Sequence, residues 1–283
     1  LKVIILINCP DKTGIINSVT QFIHSHSGNI IYLDQHVDKS SNVFFMRLET
    51  EFEDEGFETD NFRNLFETSI ARPYAMHWNL YYDTIKPKMA LFVSKYNHCL
   101  YDLLGRQQSG ELTVDIPFIL SNHPDLKFIA DQFGIPFFHV PFTKKNRMEA
   151  EAKQLALLKE HKIDFIVLAR YMQIVGDSLI HVFPNRIINI HHSFLPAFAG
   201  AKPYHAAFKR GVKIIGATSH YVTAELDEGP IIEQDVIPVS HSHSISDFIS
   251  KGRDLEKIVL SRAIKLHVLR KTMVYNNKTV IFS

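Results

Sequence analysis

The chain has 283 residues, enough for one large or two ordinary domains. Hydrophobic residues make up 46% and charged residues 22%, which supports a sizeable core and excludes a disordered chain. A formal net charge of +1 suits no binder of phosphate backbones, and no apolar run is long enough for a membrane span, so neither a nucleic-acid nor a membrane partner is expected.

The first eight residues are apolar over too short a stretch for a signal peptide and read as a buried strand at 3–7. Asp11-Lys12-Thr13-Gly14 then makes a turn that opens a helix over 15–26. Its apolar residues Ile15, Val19, Phe22 and Ile23 recur at helical spacing, and Gly28-Asn29 ends it. Strands follow at 30–37 and 42–50, joined by the hairpin Asp38-Lys39-Ser40-Ser41. A second helix over 59–70 turns Phe62, Leu65 and Phe66 inward, and a strand at 77–82 closes the sheet. This βαββαβ order predicts a ferredoxin-like sandwich over residues 1–84.

Residues 85–88, Ile85-Lys86-Pro87-Lys88, read as a linker. After it, strands at 89–93, 116–121, 137–140, 165–169 and 187–190 alternate with helices at 100–108, 126–133 and 148–161. That alternation predicts a doubly wound, mostly parallel sheet for residues 89–283, giving an α/β chain of two domains. Strands at 214–222 and 231–236 extend the sheet. A long helix over 246–271 and a small strand pair within 272–282 complete the chain.

Chemistry concentrates where the strand at 187–190 runs into polar residues. Alternate side chains of a strand share a face, so Asn189, His191 and Ser193 project together, and Asp227 follows the next strand. An amide, an imidazole and a carboxylate suit a carbonyl that becomes tetrahedral: the amide donates to the oxyanion, the imidazole moves a proton and the carboxylate orients water or the imidazole. Taken singly, each has a plainer reading, as a strand-end amide, a structural histidine and a turn aspartate. His192 faces the other way and reads as structural. His220 either orients Asp227 or is a satisfied core histidine. His241 and His243 have a spacing that suits a metal, but no matching cysteine or carboxylate set accompanies them, so no metal is expected. Cys9 and Cys99 lie far apart without zinc-type spacing and read as reduced thiols of a cytoplasmic protein.

The ordered set Asn189-Ile190-His191, Ser193-Phe194-Leu195-Pro196 and Asp227-Glu228-Gly229 resembles the folate-dependent formyltransferase superfamily. In its glycinamide ribonucleotide branch, a glycine-rich loop after the first catalytic strand holds the substrate phosphate. The matching segment here, Ser94-Lys95-Tyr96-Asn97-His98-Cys99, has no glycine. The initiator-tRNA branch adds a basic C-terminal domain, which the remaining length and charge do not supply. The chain instead resembles the formyltetrahydrofolate deformylase branch, through Val93-Ser94-Lys95, His98-Cys99-Leu100, Leu168-Ala169-Arg170-Tyr171-Met172-Gln173-Ile174, Gly200-Ala201-Lys202-Pro203-Tyr204-His205 and Gly252-Arg253-Asp254.

That resemblance implies a hydrolase acting on the linear amide-type C–N bond of 10-formyltetrahydrofolate. It would release formate and tetrahydrofolate, supply formate for purine synthesis and balance the one-carbon pool. The alternative is formyl transfer from the same folate to an amine acceptor. Folate is then substrate, and no cofactor is expected. Asn189 and His191 are expected on the oxyanion and Asp227 on the attacking water, as base or proton relay. Met172, Gln173, Ile174, Leu195 and Gly200 are expected around the folate. The first 84 residues, with Asp11-Lys12-Thr13-Gly14-Ile15 after strand one, resemble an ACT domain, a regulatory amino-acid-binding module of homo-oligomers. This implies an effector such as glycine or methionine near Asp11, Gly14 and Asn29. The other reading of this module is dimerisation alone.

Overall fold

Pro87, which has no N–H of its own, accepts from Asp115 through its carbonyl and so starts the first strand of a seven-stranded sheet. The computed structural model describes residues 1–53, 59–143, 145–197 and 203–283. It divides into two units, Leu1–Ile85 with Ile281–Ser283, and Lys86–Val280. The second domain had been expected to run to 283. Instead the last three residues group with the first unit, where the Ser283 N–H and hydroxyl donate to Asp34 at 3.0 and 3.1 Å.

The first unit runs β1 (Lys2–Pro10), α1 (Ile15–Ser25), β2 (Asn29–Asp38), β3 (Val43–Glu51), α2 (Thr59–Phe66) and β4 (His77–Tyr82). Its antiparallel sheet has the order β2-β3-β1-β4. Alternation along β1 puts Val3, Ile5 and Ile7 against Ile15, Val19, Phe22 and Ile23 of α1 in one core. Phe62 and Phe66 join that core, whereas Leu65 is 40% exposed. The helix widens into a π turn at Glu67–Ala71, one residue after Phe66. The hairpin is closed by Asp38, whose carboxylate accepts from the Ser40 N–H and from both serine hydroxyls.

The second unit opens with β5 (Met89–Val93), α3 (His98–Gln108), β6 (Ile119–Ser121), α4 (Lys127–Phe133), β7 (Phe137–His139) and α5 (Arg147–Glu160). It continues through β8 (Phe165–Leu168), α6 (Asp177–Val182), β9 (Ile187–His191), α7 (Pro203–Arg210), β10 (Ile214–Tyr221) and β11 (Ile231–Pro238). It closes with α8 (Ile245–Val268), β12 (Thr272–Tyr275) and β13 (Lys278–Ile281). The large sheet has the order β11-β10-β9-β8-β5-β6-β7, parallel from β9 to β7, with β10 and β11 antiparallel at one edge. After β5 the chain builds outward through β6 and β7, then returns to place β8 on the other side of β5. The strand order therefore reverses between β5 and β8, and in such sheets a crevice opens beyond the carboxyl ends of the strands at that point. Met89, Leu91, Val93 and Val167, all buried to 0% exposure, fix the two strands in the core, each such side chain contributing about 1.5–3 kcal/mol by burial.

β6 is shorter than the expected 116–121, because Pro117 cannot donate to the ladder. The short helices α6 and α7 were not foreseen from the sequence, and both are too brief to show a helical period.

Gly28 is packed closely on several sides. A β-carbon there would meet Ile23, Phe52 and Thr50 side-chain atoms at 2.6, 2.7 and 2.9 Å. Gly28→Ala is therefore expected to destabilise the chain by about 1–3 kcal/mol through overpacking. Urea unfolding measures it, and an unchanged midpoint would contradict the packing described.

Candidate active site

The pairing of β9 with β10 sets His220 opposite Asn189 and Thr218 opposite His191. Asn189 Nδ2 donates to His220 Nε2 at 3.2 Å. His220 Nδ1 contacts the Tyr221 carbonyl at 2.9 Å, and a carbonyl only accepts, so Nδ1 carries the proton and Nε2 offers its lone pair to Asn189. Of the two readings left open for His220, the geometry gives it a place beside Asp227.

Asp227 reaches these groups from the loop after β10. Its backbone is left-handed, with φ 58°, which aspartate tolerates better than most residues. Gly229 makes the loop possible, since a β-carbon there would lie 1.7 Å from the Tyr221 carbonyl oxygen. The Tyr221 N–H donates to Pro230 O at 2.9 Å and folds the loop back on the strand. Asp227 Oδ2 then sits 3.2 Å from His191 Nδ1, and Oδ1 sits 3.6 Å from His220 Nε2. The His191 ring, the largest influence, outweighs burial and holds the Asp227 carboxyl well below the usual carboxylate range. With Nδ1 of His191 committed to Asp227, Nε2 is buried without a hydrogen-bond partner among the described residues, and His191 lines a cleft.

That cleft has a volume of about 340 Å³. Arg170, Tyr171, Met172, Gln173, Ile174 and Val175 form one side, residues 222–227 another, and Asn189, His191, His192 and His220 complete it. Met172 and Ile174 are 45% and 57% exposed, an apolar face suited to a flat ring system. The Met172 N–H donates to Ser94 Oγ at 3.0 Å, and Ser94 Oγ donates to Asn122 at 2.6 Å, so the end of β5 fixes this loop.

Other expected site residues lie elsewhere. Leu195 is buried away from the cleft; its N–H donates to Thr218 Oγ1 and its carbonyl accepts from Gln234, so it supports the strand below the site. Gly200 lies outside the described residues. Ser193 does not line the cleft with Asn189 and His191, because β9 ends at His191 and alternation stops with it. His192, expected on the opposite face, lines the cleft for the same reason, its ring 5.3 Å from that of His191. Asp11 and Gly14 follow the Pro10 end of β1, which pairs with Val43, whereas Asn29 pairs with Glu51 near Lys2. At ~3.4 Å per residue the two ends of this sheet are roughly 25 Å apart, so one copy of the chain does not bring Asn29 to Gly14.

The sequence reading missed Arg170 and Glu256. Arg170 is buried to 7% exposure in the cleft wall, and Glu256 to 1% within α8. No spacing marks either, since a single charge in an apolar stretch usually turns outward. Metal-type donors meet at His98, Cys99 and Glu256, within 4.8 Å of one another. Burial pushes the Cys99 thiol well above its usual range, and Arg170 lies 3.5 Å from the same carboxylate, so a neutral thiol and a guanidinium compete with any cation there. His241 and His243 fall in a turn, where His243 Nδ1 accepts from the Ser240 N–H.

The comparisons with known proteins bear on the same region. The family model described as formyl transferase matches residues 87–264. The formyltetrahydrofolate deformylase of Synechocystis sp. is 52% identical over 100% of this chain and 99% of its own length. The protein of that name from Bacillus subtilis is 43% identical over 99% of this chain and 93% of its own length. Among solved structures, a formyltetrahydrofolate deformylase from Pseudomonas syringae pv. tomato superposes with a TM-score of 0.96 at 46% identity, covering 100% of this chain and 94% of that one.

The charge on Asp227 also affects stability. A carboxyl held low in the folded state stabilises fully above its unfolded value, about 3.9, and that stabilisation is lost as pH falls toward the depressed folded value. The stability advantage of the wild type over Asp227→Asn should therefore be constant near neutrality and shrink as the pH drops below about 4. Urea unfolding of both proteins at stepped pH measures this. A difference that stays flat into the acid range would contradict the arrangement.

Proposed function

The chain belongs to the formyl transferase family, and we propose that it hydrolyses 10-formyltetrahydrofolate to formate and tetrahydrofolate. The observation that carries the reading is the cluster of Asn189 with His220 and of Asp227 with His191 in a cleft walled by Met172, Gln173 and Ile174. Whole-length similarity to formyltetrahydrofolate deformylases supports it.

In this mechanism, the folate ring rests on the 172–174 wall and the formyl carbon lies beside His191 Nε2. Water attacks that carbon while Nε2 takes one of its protons. Asp227 stabilises the imidazolium that forms and keeps the ring oriented. Asp227 Oδ2 faces Nδ1 of His191 at 3.2 Å, a geometry in which the carboxylate orients the ring and the ring carries the proton work. The second Nδ2 proton of Asn189, not needed by His220, donates to the oxyanion. The tetrahedral species then collapses. The C–N10 bond breaks, His191 returns its proton to N10, and the carbon leaves as formic acid, which ionises to formate. The formate enters the one-carbon pool, including purine synthesis.

For the first unit we retain the regulatory reading with one change. Because Asn29 lies at the far end of the sheet from Asp11 and Gly14, an amino acid such as glycine or methionine that touched all three would need Asn29 from a second copy of the chain. Effector binding and homo-oligomer formation are thus one proposal. No helix among the described residues is long and apolar enough to cross a membrane, in keeping with a cytoplasmic enzyme.

The test is turnover of 10-formyltetrahydrofolate in ¹⁸O-enriched water without any amine. Equal amounts of tetrahydrofolate and formate should appear, with one labelled oxygen in each formate. His191→Ala should lower that rate by about 100- to 10,000-fold. Absence of labelled formate, or a rate untouched by the substitution, would refute the proposal.

A further inference from the structure

The wall that carries Met172 and Ile174 is pinned from behind by buried polar side chains that the chemistry does not use. The ladder between β5 and β8 runs as far as the Ala169 N–H, which donates to the Phe92 carbonyl at 2.9 Å. Arg170 then turns the chain out of the sheet with a left-handed φ of 63°. Beyond that point a side chain takes over from the ladder. The Met172 N–H donates to Ser94 Oγ at 3.0 Å, and the same hydroxyl donates to Asn122 Oδ1 at 2.6 Å. A hydroxyl accepts from one group and donates to the other through a single atom. Ser94 is itself held, since its carbonyl accepts from the Ser121 hydroxyl at 3.4 Å. A second pin stands one residue earlier in the wall. Gln154 lies buried on α5, and its Nε2 donates to the Tyr171 hydroxyl at 3.0 Å. A buried amide is costly without a partner, and Tyr171 is that partner. The Tyr171 ring meets Phe92 of β5 edge-on, 5.4 Å between centres. Neither Ser94 nor Gln154 lines the cleft, so both act on the wall and not on what it binds.

We infer that Ser94 and Gln154 are positioning residues for the folate: they hold the 170–175 wall in its binding form before the substrate arrives, and so set affinity and not the rate of the chemical step. When the binding form is only a fraction of the population, the apparent dissociation constant rises by the inverse of that fraction. Once folate is bound the wall has the same form in every molecule, and the reacting groups meet the formyl carbon as before. Asn189 and His191 stand on β9 and Asp227 on the loop after β10. The contacts that place them, among themselves, with His220 and between Tyr221 and Pro230, involve neither Ser94 nor Gln154. This rests on the folate seating proposed above, and the two fail differently. If the wild type neither binds tetrahydrofolate nor releases formate, the proposed function falls and this inference with it. If the wild type does both and affinity ignores the two pins, this inference alone falls.

The experiment compares the full-length wild type with Ser94→Ala and Gln154→Met. It measures formate release against 10-formyltetrahydrofolate concentration, calorimetric titration with tetrahydrofolate, and amide hydrogen exchange over residues 170–175. In each variant KM and the dissociation constant for tetrahydrofolate should rise about three- to tenfold, the range expected for a lost hydrogen bond. At saturation kcat should stay within about twofold of the wild type, because the bound form is shared. Exchange over 170–175 should quicken in the free variants and return to the wild-type pattern with saturating tetrahydrofolate. Should Ser94→Ala fail to fold, Gln154→Met carries the same test. A fall in kcat at unchanged KM, a lower melting temperature with KM and exchange unchanged, or quicker exchange without loss of affinity would overturn the inference.

Discussion

One carboxylate between two imidazoles sets the terms of this site. Asp227 faces His191 through one oxygen and His220 through the other. That contact engages Nδ1 of His191 and leaves Nε2 without a partner among the described residues, and it keeps the carboxylate charged. Everything that brings Asp227 there is structural and local: the left-handed turn, the missing side chain of Gly229 and the hydrogen bond that folds Pro230 back on β10. The register of β9 against β10 does the rest, because a slip by one residue would turn Asn189 and His220 to opposite faces.

The sheet explains why the cleft lies where it does. Reversal of strand order between β5 and β8 leaves the carboxyl ends of both strands without a covering connection between them. Ser94 at the end of β5 and Arg170 after β8 face this gap, and the first ties the Met172 loop while the second forms the wall. Buried charge is costly unless it is paired and hydrogen-bonded. Glu256 meets that condition with His98, Tyr204 and Arg170, drawn from three helices and the end of a strand, so the same network that holds the cation also ties the helices to the sheet.

Much of this was legible in the residues. Short apolar runs located β1, β5, β8 and β9, and helical spacing located α1. Asn189, His191 and Asp227 stood out as polar groups closing apolar strands, and the structure brings them together. The errors have physical causes. Ser193 and His192 were assigned faces by extending a strand that had already ended. Leu195 was placed by its motif, though its backbone is occupied by Thr218 and Gln234. Asn29 was set beside Gly14 on the strength of the ACT resemblance, whereas strand pairing within one chain sets them at opposite ends of a sheet. Arg170 stood within the run Leu168–Ile174 without a role of its own and Glu256 gave no signal, because a left-handed φ and a partner 86 residues away (256 − 170) are properties of the fold alone.

The account holds that Asp227 works through His191, as a unit and not as a separate base. A double-mutant cycle on formate release tests this most directly, with Asp227→Asn, His191→Ala and the pair combined. If the carboxylate acts through the imidazole, the combined variant should be no slower than the slower single variant, within about a factor of three. If the two losses multiply, Asp227 has work of its own at the reacting carbon and the central claim is wrong.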